Sequence, residues 1–329
     1  MMTFKSFVKK IIGIDRWRHI KCFLSDESYY WYCTHTPGIN QKAHQEAWLV
    51  VQYHMIEKGL TMPNRHLAFG KSVILSLMSS IENFHGRWPE TSSIVFHAIG
   101  VIKAYFALHK DEGWDFSEDS SYWNSVRDFI NRFPDVPVSF QKHVEKERFY
   151  ATSELPFPAF ARSRHSIRNY SELKIQKDTI VSAIALAMTA PSACNRQHAR
   201  VYCIANKALG HRILDIQGGN RGFGHLADKV LIVTSELSVE MGERERFDPF
   251  VNGGIFLMNL CYALHYYKIA HCILSCSIET GRLEEIRVLA SIPRREVLVG
   301  ILSCGIAPDS FDIAASPRKD VCEILTYME

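Results

Sequence analysis

The sequence predicts an α+β protein of α/β texture, a mixed sheet flanked by helices, with a helical N-terminal extension. Two observations carry this. Up to about residue 150, apolar side chains recur at helical spacing until Pro134 and Pro137 punctuate the pattern. From about Pro156, short runs of β-forming residues alternate with helical periodicity, the pattern of a sheet layered with helices. The expected division is 1–150 for the extension and 151–329 for the second domain.

At the N-terminus, Phe4, Phe7, Val8, Ile11 and Ile12 recur at helical spacing, while Lys5, Lys9, Lys10, Arg16, Arg18 and Lys21 face only Asp15. A basic amphipathic helix of this kind lies on an anionic membrane surface or packs against its own protein, and packing is the more frequent fate. Ala43 to Lys58 reads as a helix through Trp48, Leu49, Val51 and Met55, with Gly59 as its C-cap. Phe69 to Phe84 continues with Val73, Leu75, Leu77, Met78 and Ile81. Thr91-Ser92-Ser93 can cap a third helix through Ile94, Ala98, Val101, Ile102 and Tyr105. Ser120-Ser121 precede a fourth, carrying Trp123, Val126, Phe129 and Ile130.

In the second half, Asp178 is placed to cap a helix of Ile180, Val181, Ile184, Leu186 and Met188 that stops at Pro191. Arg200 to Ala205 and Lys229 to Ser235 read as strands, and Glu296 to Cys304 is the last clear one. Asp248-Pro249 opens a long helix, with Asp at the N-cap and Pro at the first helical position. Gly253-Gly254 inside that helix lower its stability unless close packing requires a missing side chain.

Composition narrows the function. A net charge of +3 is too small to argue for nucleic acid as the main partner. No apolar run reaches the length that spans a bilayer. The nine cysteines lack paired metal-type spacing, so no metal site is expected. With no secretory signal, reduced thiols in a cytoplasmic protein are the simplest account.

The chemistry centres on Arg164-His165-Ser166-Ile167-Arg168-Asn169-Tyr170. If this stretch runs extended, Arg164, Ser166 and Arg168 point the same way. Two guanidinium forks flanking a hydroxyl make a receptor for a phosphate group. A basic, solvated loop is the alternative.

Three further segments follow in order: Pro191-Ser192 with Asn195 and Gln197, then Ala227 to Val233, then Ser316-Pro317-Arg318-Lys319. With the heptapeptide and the apolar helix around Phe250 to Tyr267, this ordered set resembles the FMN-dependent nitroreductase family, from about Phe160 to Asp320. In addition, His54 to Leu60 followed by Phe69-Gly70 resembles a segment that precedes the flavin domain in nitroreductase-like proteins associated with polysaccharide biosynthesis. A solvated helix end at Glu57 and Lys58 competes with a substrate-facing wall of His54, Glu57 and Lys58.

The resemblance implies the nitroreductase fold, a homodimer, FMN as cofactor and NAD(P)H as electron donor. Hydride would pass through the flavin to an unknown second, small-molecule substrate. It implies that Arg164, His165, Ser166 and Arg168 serve the FMN phosphate and the pyrimidine edge of the ring, with Arg318 closing the phosphate site. Pro191, Ser192 and Asn195 would approach the flavin from the other subunit, and Asn220 would hydrogen-bond the ring. Ser275 and Cys276 stand where the family offers a backbone N–H to the flavin, although the usual residues there are absent. A second departure is His198, where a proline commonly follows the glutamine. No protein acid or base is implied as catalytic. Two alternatives remain on the same fold: a flavin-dependent tailoring enzyme or dehydrogenase in polysaccharide biosynthesis, and a scaffold that has lost the flavin.

Overall fold

A computed structural model describes residues 13–35, 41–88 and 92–329. Phe4 to Ile12 of the expected N-terminal helix, and Thr91 of the expected cap, lie outside them. The first described helix, α1 (Ile14–His35), buries none of its residues and leaves Tyr29, Tyr30, Trp31 and Tyr32 exposed. It is tied to the body by Asp26, which accepts from the Arg246 guanidinium. No described helix is long and apolar enough to cross a membrane.

Four helices then build a core of their own: α2 (Gln41–Leu60), α3 (Lys71–Arg87), α4 (Ser93–Asp111) and α5 (Ser120–Asn131). Leu49, Tyr53 and Ile56 meet Ile74, Leu77, Ile81 and Phe84 from α3, with Ile99, Ile102 and Tyr105 from α4. Trp123 of α5 is fully buried among Tyr105, Phe106, Phe116 and Tyr122. The sequence rhythm picked the wrong face of α2 in part. Leu49 is buried, but Trp48, Val51 and Met55 are exposed, and the inward stripe is Leu49, Tyr53, Ile56 and Leu60. Gly59 is not a C-cap either. It lies within α2, and a Cβ there would collide with the Phe69 ring, so the glycine permits close packing.

The remaining chain forms a four-stranded sheet in the order β2-β3-β5-β4: β2 (Ala199–Ile204), β3 (Lys229–Glu236), β5 (Glu296–Gly305) and β4 (Ala270–Ser275). Helices flank it as expected, but every described strand pair is antiparallel rather than mixed. β3 is apolar on both faces because both are covered. Leu231 and Val233 face α8 (Lys177–Ala187) and α10 (Asp248–Tyr266), while Val230 and Ile232 face α9 (Lys207–Gln217) and α11 (Thr280–Leu289). Gly253 lets α10 approach β5, since a Cβ there would sit 2.6 Å from Val299; Gly254 meets nothing.

Two expected caps shift by a residue or two. Gln176 precedes α8, with Asp178 inside its first turn, and Phe247 precedes α10, placing Asp248 and Pro249 in its first turn. Between the two halves run the short helices α6 (Lys146–Tyr150) and α7 (Phe157–Ser163). A two-stranded ribbon joins β1 (Lys142–Glu145) to β6 (Ser310–Ile313), so the end of the helical half is paired with the end of the chain.

Candidate functional site

The segment 164–170 runs beside the edge strand β4. Ile167 N–H donates to the His271 carbonyl at 3.0 Å and Ser171 N–H to the Ile306 carbonyl at 2.8 Å. Tyr170 locks it from below: its hydroxyl lies 2.9 Å from the Ile167 carbonyl and 3.0 and 2.9 Å from the Ser303 carbonyl and Oγ. Removing that hydroxyl by Tyr170→Phe strands buried acceptors, so a loss of about 1–3 kcal/mol is expected in urea unfolding. An unchanged midpoint would show that the anchor contributes nothing.

So held, Arg164, His165, Ser166 and Arg168 line one cavity of about 410 Å³. Arg318 and Ser316 enter it from the C-terminal arm, and Val50, Tyr53, His54 and Glu57 from α2. The sequence-derived cation set and the α2 wall therefore share one site. Arg168 is only 8 % exposed. Among the described residues none of Arg164, Arg168 and Arg318 has a carboxylate within salt-bridge distance; Arg318 donates only to the Ser316 carbonyl. A buried guanidinium without a counter-charge is unfavourable, and an external anion is the direct remedy.

The one carboxylate among the described residues lining this cavity is committed elsewhere. Glu57, fully buried, accepts from His54 Nδ1 at 3.1 Å and His97 Nε2 at 2.8 Å. It also accepts from Ser316 N–H at 3.2 Å and Ser316 Oγ at 3.5 Å. Burial alone would raise its carboxyl, but the histidine and Ser316 hydrogen bonds outweigh burial and hold it at about 2. Ser316 carries a positive φ of 38°, directly before Pro317. That left-handed backbone is held by Glu57 on one side and, one residue earlier, by Gln141 Oε1 accepting from Ala315 N–H at 2.8 Å. Thus α2 fixes the arm that carries Arg318. Lys58 stands apart from the cavity lining; burial and then Arg168 lower its ammonium.

Beneath the cations lie histidines kept neutral. Burial, then Lys142, Arg164 and Arg318, push His165 down to about 4. Burial, His271, Arg164 and His165 take His265 to about 3, and burial with Arg164 takes His271 to about 4. The unfolded chain binds protons at these sites below about pH 6.5 while the folded protein does not, so stability falls as pH drops from about 6.5 towards 4. For His265 and His271, each 2 % exposed, roughly 1.4 kcal/mol per pH unit per group gives about 4 kcal/mol lost by pH 5. Urea midpoints at about pH 7 and pH 5 read this directly, and equal midpoints would contradict it.

The other expected residues lie elsewhere. Pro191, Ser192 and Gln197 line a separate cavity of about 270 Å³ with Asn252 and Phe256. Asn195 belongs to the same turn, in which Cys194, Asn195 and Gln197 all have φ near +50°, at 49°, 54° and 55°. Ser192 Oγ accepts from Gln197 N–H at 2.9 Å and Asn252 Oδ1 from Ala193 N–H at 2.9 Å, which holds this strained shape. His198, in the place of the usual proline, is buried with its Nε2 3.2 Å from Glu240. Glu240, Glu245 and Asp248 converge there around the Arg196 guanidinium, which lies 3.3, 2.6 and 3.5 Å from them and supplies their counter-charge.

Asn220 is buried, and its amide donates to the Leu214 carbonyl and Gln217 Oε1, closing the end of α9; it does not line the cation cavity. Neither Ser275 nor Cys276 lines it. The Ser275 carbonyl accepts from Gln217, and burial raises the Cys276 thiol to about 11, which favours the neutral thiol. Ile273, from the same strand, does face the cavity.

Sequence reasoning missed Val50, Tyr53, His97, Ile273 and Ala314. The signal for the first two was present: Val50, Tyr53, His54 and Glu57 stand at helical spacing on one face of α2.

In comparisons with known proteins, the model described as the nitroreductase family matches residues 161–220. Arg164, His165, Ser166, Arg168, Pro191, Ser192, Asn195 and Asn220 fall inside that segment. No curated protein sequence matches this chain. Among solved structures, a nitroreductase family protein from Streptococcus pneumoniae is similar at 16 % identity and TM-score 0.45, covering 53 % of this chain and 100 % of its own. An FMN-dependent nitroreductase from Clostridium difficile is similar at 15 % identity and TM-score 0.45, covering 52 % and 98 %. A nitroreductase family protein from Clostridium novyi is similar at 18 % identity and TM-score 0.42, covering 51 % and 91 %.

Proposed function

From the premise that residues 161–220 are a nitroreductase-family segment, we propose that this protein is an FMN-dependent oxidoreductase. In this reading it takes hydride from NAD(P)H and delivers it to a second small-molecule substrate. The observation that carries the cofactor assignment is Arg168, buried and, among the described residues, without a carboxylate partner, beside Arg164 and Arg318 in one cavity. A phosphate monoester dianion supplies the missing counter-charge to such a set.

Arg164, Ser166, Arg168 and Arg318 would hold FMN, which when bound supplies the hydride-transfer chemistry. The chain's part is binding and orientation. The neutral His165 can donate one hydrogen bond and accept another without adding charge. Glu57 keeps the Ser316–Arg318 arm in place, and α2 forms one wall of the cavity. The test is anaerobic mixing with NADH or NADPH: the flavin absorbance should bleach with one of them and recover on oxidation.

The division into a helical extension, 1–150, and a flavin domain, 151–329, belongs to this reading. So does a homodimer. Pro191, Ser192 and Asn195 lie away from the cation cavity of their own chain, and the outer face of α10 leaves Phe250, Val251 and Ile255 at 51, 57 and 41 % exposure. Such a stripe is suited to burial against a second copy, and the family resemblance implies that the Pro191 turn then meets the partner's site. Light scattering should give twice the chain mass, and a monomer that retains flavin would overturn this part.

The α2 wall supports a dedicated acceptor rather than a generic quinone or nitroarene, in keeping with a tailoring step in polysaccharide biosynthesis. Rapid turnover of simple acceptors would speak against it. A cytoplasmic location accompanies this reading.

A further inference from the structure

We infer that a second chamber, walled by the helical half and the C-terminal arm, binds an amphipathic monoanion, with an apolar body and one acidic end met by the Tyr53 hydroxyl and Lys319. The chamber measures about 680 Å³ and adjoins the cation cavity, sharing Val50, Tyr53, Pro317 and Arg318 with it. Its walls are mainly apolar, from Val50, Ile94, Phe96, Val138 and Ile324.

Tyr53 is the decisive residue. It is 5 % exposed, yet among the described residues its hydroxyl has no hydrogen-bond partner, while its ring packs edge-on against His97 at 4.8 Å. Tyr53 lines both cavities, and its hydroxyl is not among the buried polar atoms left without a partner, so it opens to the space beside it, where a ligand can take its hydrogen bond in place of water. Burial and then Glu57 raise its pKa to about 12, with Arg318 opposing, so at neutral pH it is a donor and favours an acceptor such as a carboxylate.

The charged groups facing it agree with this polarity. Glu57 is already hydrogen-bonded by His54, His97 and Ser316, and Arg318 has no carboxylate partner among the described residues. Lys319 is held only loosely, at 3.9 Å from both Glu46 and Glu323. His97 is fixed between Glu57 and Ser139 Oγ, so it shapes the wall and leaves the donor role to Tyr53. The apolar walls then select the body of the ligand, as in other small-molecule pockets. If the neighbouring cavity holds the FMN phosphate, this ligand lies at the phosphate end of the flavin; only that placement rests on the function proposed above.

The test uses the full-length protein and two probes, biphenyl-4-carboxylate and the uncharged biphenyl-4-methanol, with calorimetry for binding and absorbance for flavin on the same samples. The carboxylate should bind at least about tenfold more tightly than the alcohol, and Tyr53→Phe should remove about tenfold of that affinity. Val138→Trp, in an exposed wall, should narrow the chamber and weaken binding of the carboxylate by about tenfold with flavin content unchanged. Equal affinity for both probes, affinity unchanged by Val138→Trp, or displacement of flavin by the carboxylate would each overturn the inference. A flavin-free protein that binds as described would sustain the chamber while removing the flavin assignment.

Discussion

Arg164→Ala combined with Arg318→Ala is expected to leave the protein folded but without FMN. The two guanidinium groups enter one cavity from different parts of the chain, 164 from beside β4 and 318 from the C-terminal arm. Neither has a carboxylate partner among the described residues, so their removal breaks no internal ion pair and should spare stability. Charge-assisted hydrogen bonds are worth about 1.5–3 kcal/mol each, so losing two weakens flavin binding by roughly a hundredfold to ten-thousandfold. The readout is the flavin-to-protein absorbance ratio after purification, followed by titration with FMN. A double variant that still carries one flavin per chain would place the phosphate elsewhere.

Glu57→Ala is expected to act by another route, through stability and the position of the arm together. Its carboxylate is the shared acceptor for two histidines and for Ser316, so truncation strands buried donors and releases the left-handed Ser316. Breaking a buried charge network of this kind costs about 3–5 kcal/mol, which lowers the melting temperature by on the order of 10 °C in a chain of this size. Because Arg318 follows two residues later, flavin affinity should fall as well, and added FMN should restore only part of the loss. Glu57→Gln separates the two effects. It keeps one acceptor and the shape but removes the charge, so it should retain more of the stability. Wild-type melting and flavin binding in Glu57→Ala would show that the arm is fixed by β1 and Gln141 alone.

The site was legible where local chemistry decides it. Arg164, Ser166 and Arg168 on one face require only an extended backbone, and the structure supplies it beside β4. His54 and Glu57 entered as a wall only through the resemblance of their segment, with a solvated helix end as the competing reading; the Glu57 partner Ser316 lies 259 residues away, and no local pattern encodes that contact. The Asn220 assignment followed position in the chain, whereas the structure directs that side chain to the open carbonyls at the end of α9. Gly59 looked like a helix terminator because glycine serves both as a cap and as a contact point; only the Phe69 ring decides between them.

The fold shows the same division. Lys229 to Ser235 stood out as a strand because it is buried on both faces. β4 did not, since its short run contains His271, whose neutrality comes from the surrounding fold. β1 and β6 were missed because each is a four-residue strand that gains its pairing only from the other end of the chain. In α2 the exposed Trp48, Val51 and Met55 mimic a core stripe, and hydrophobicity alone cannot say which stripe faces α3 and α4.

The most direct measurement of the central claim is the absorbance spectrum of the purified protein, with identification of whatever heating releases. The account expects two flavin bands and FMN in the supernatant, in a ratio near one per chain. A colourless protein that also fails to take up added FMN would contradict it. The buried Arg168 would then need another anion as its partner.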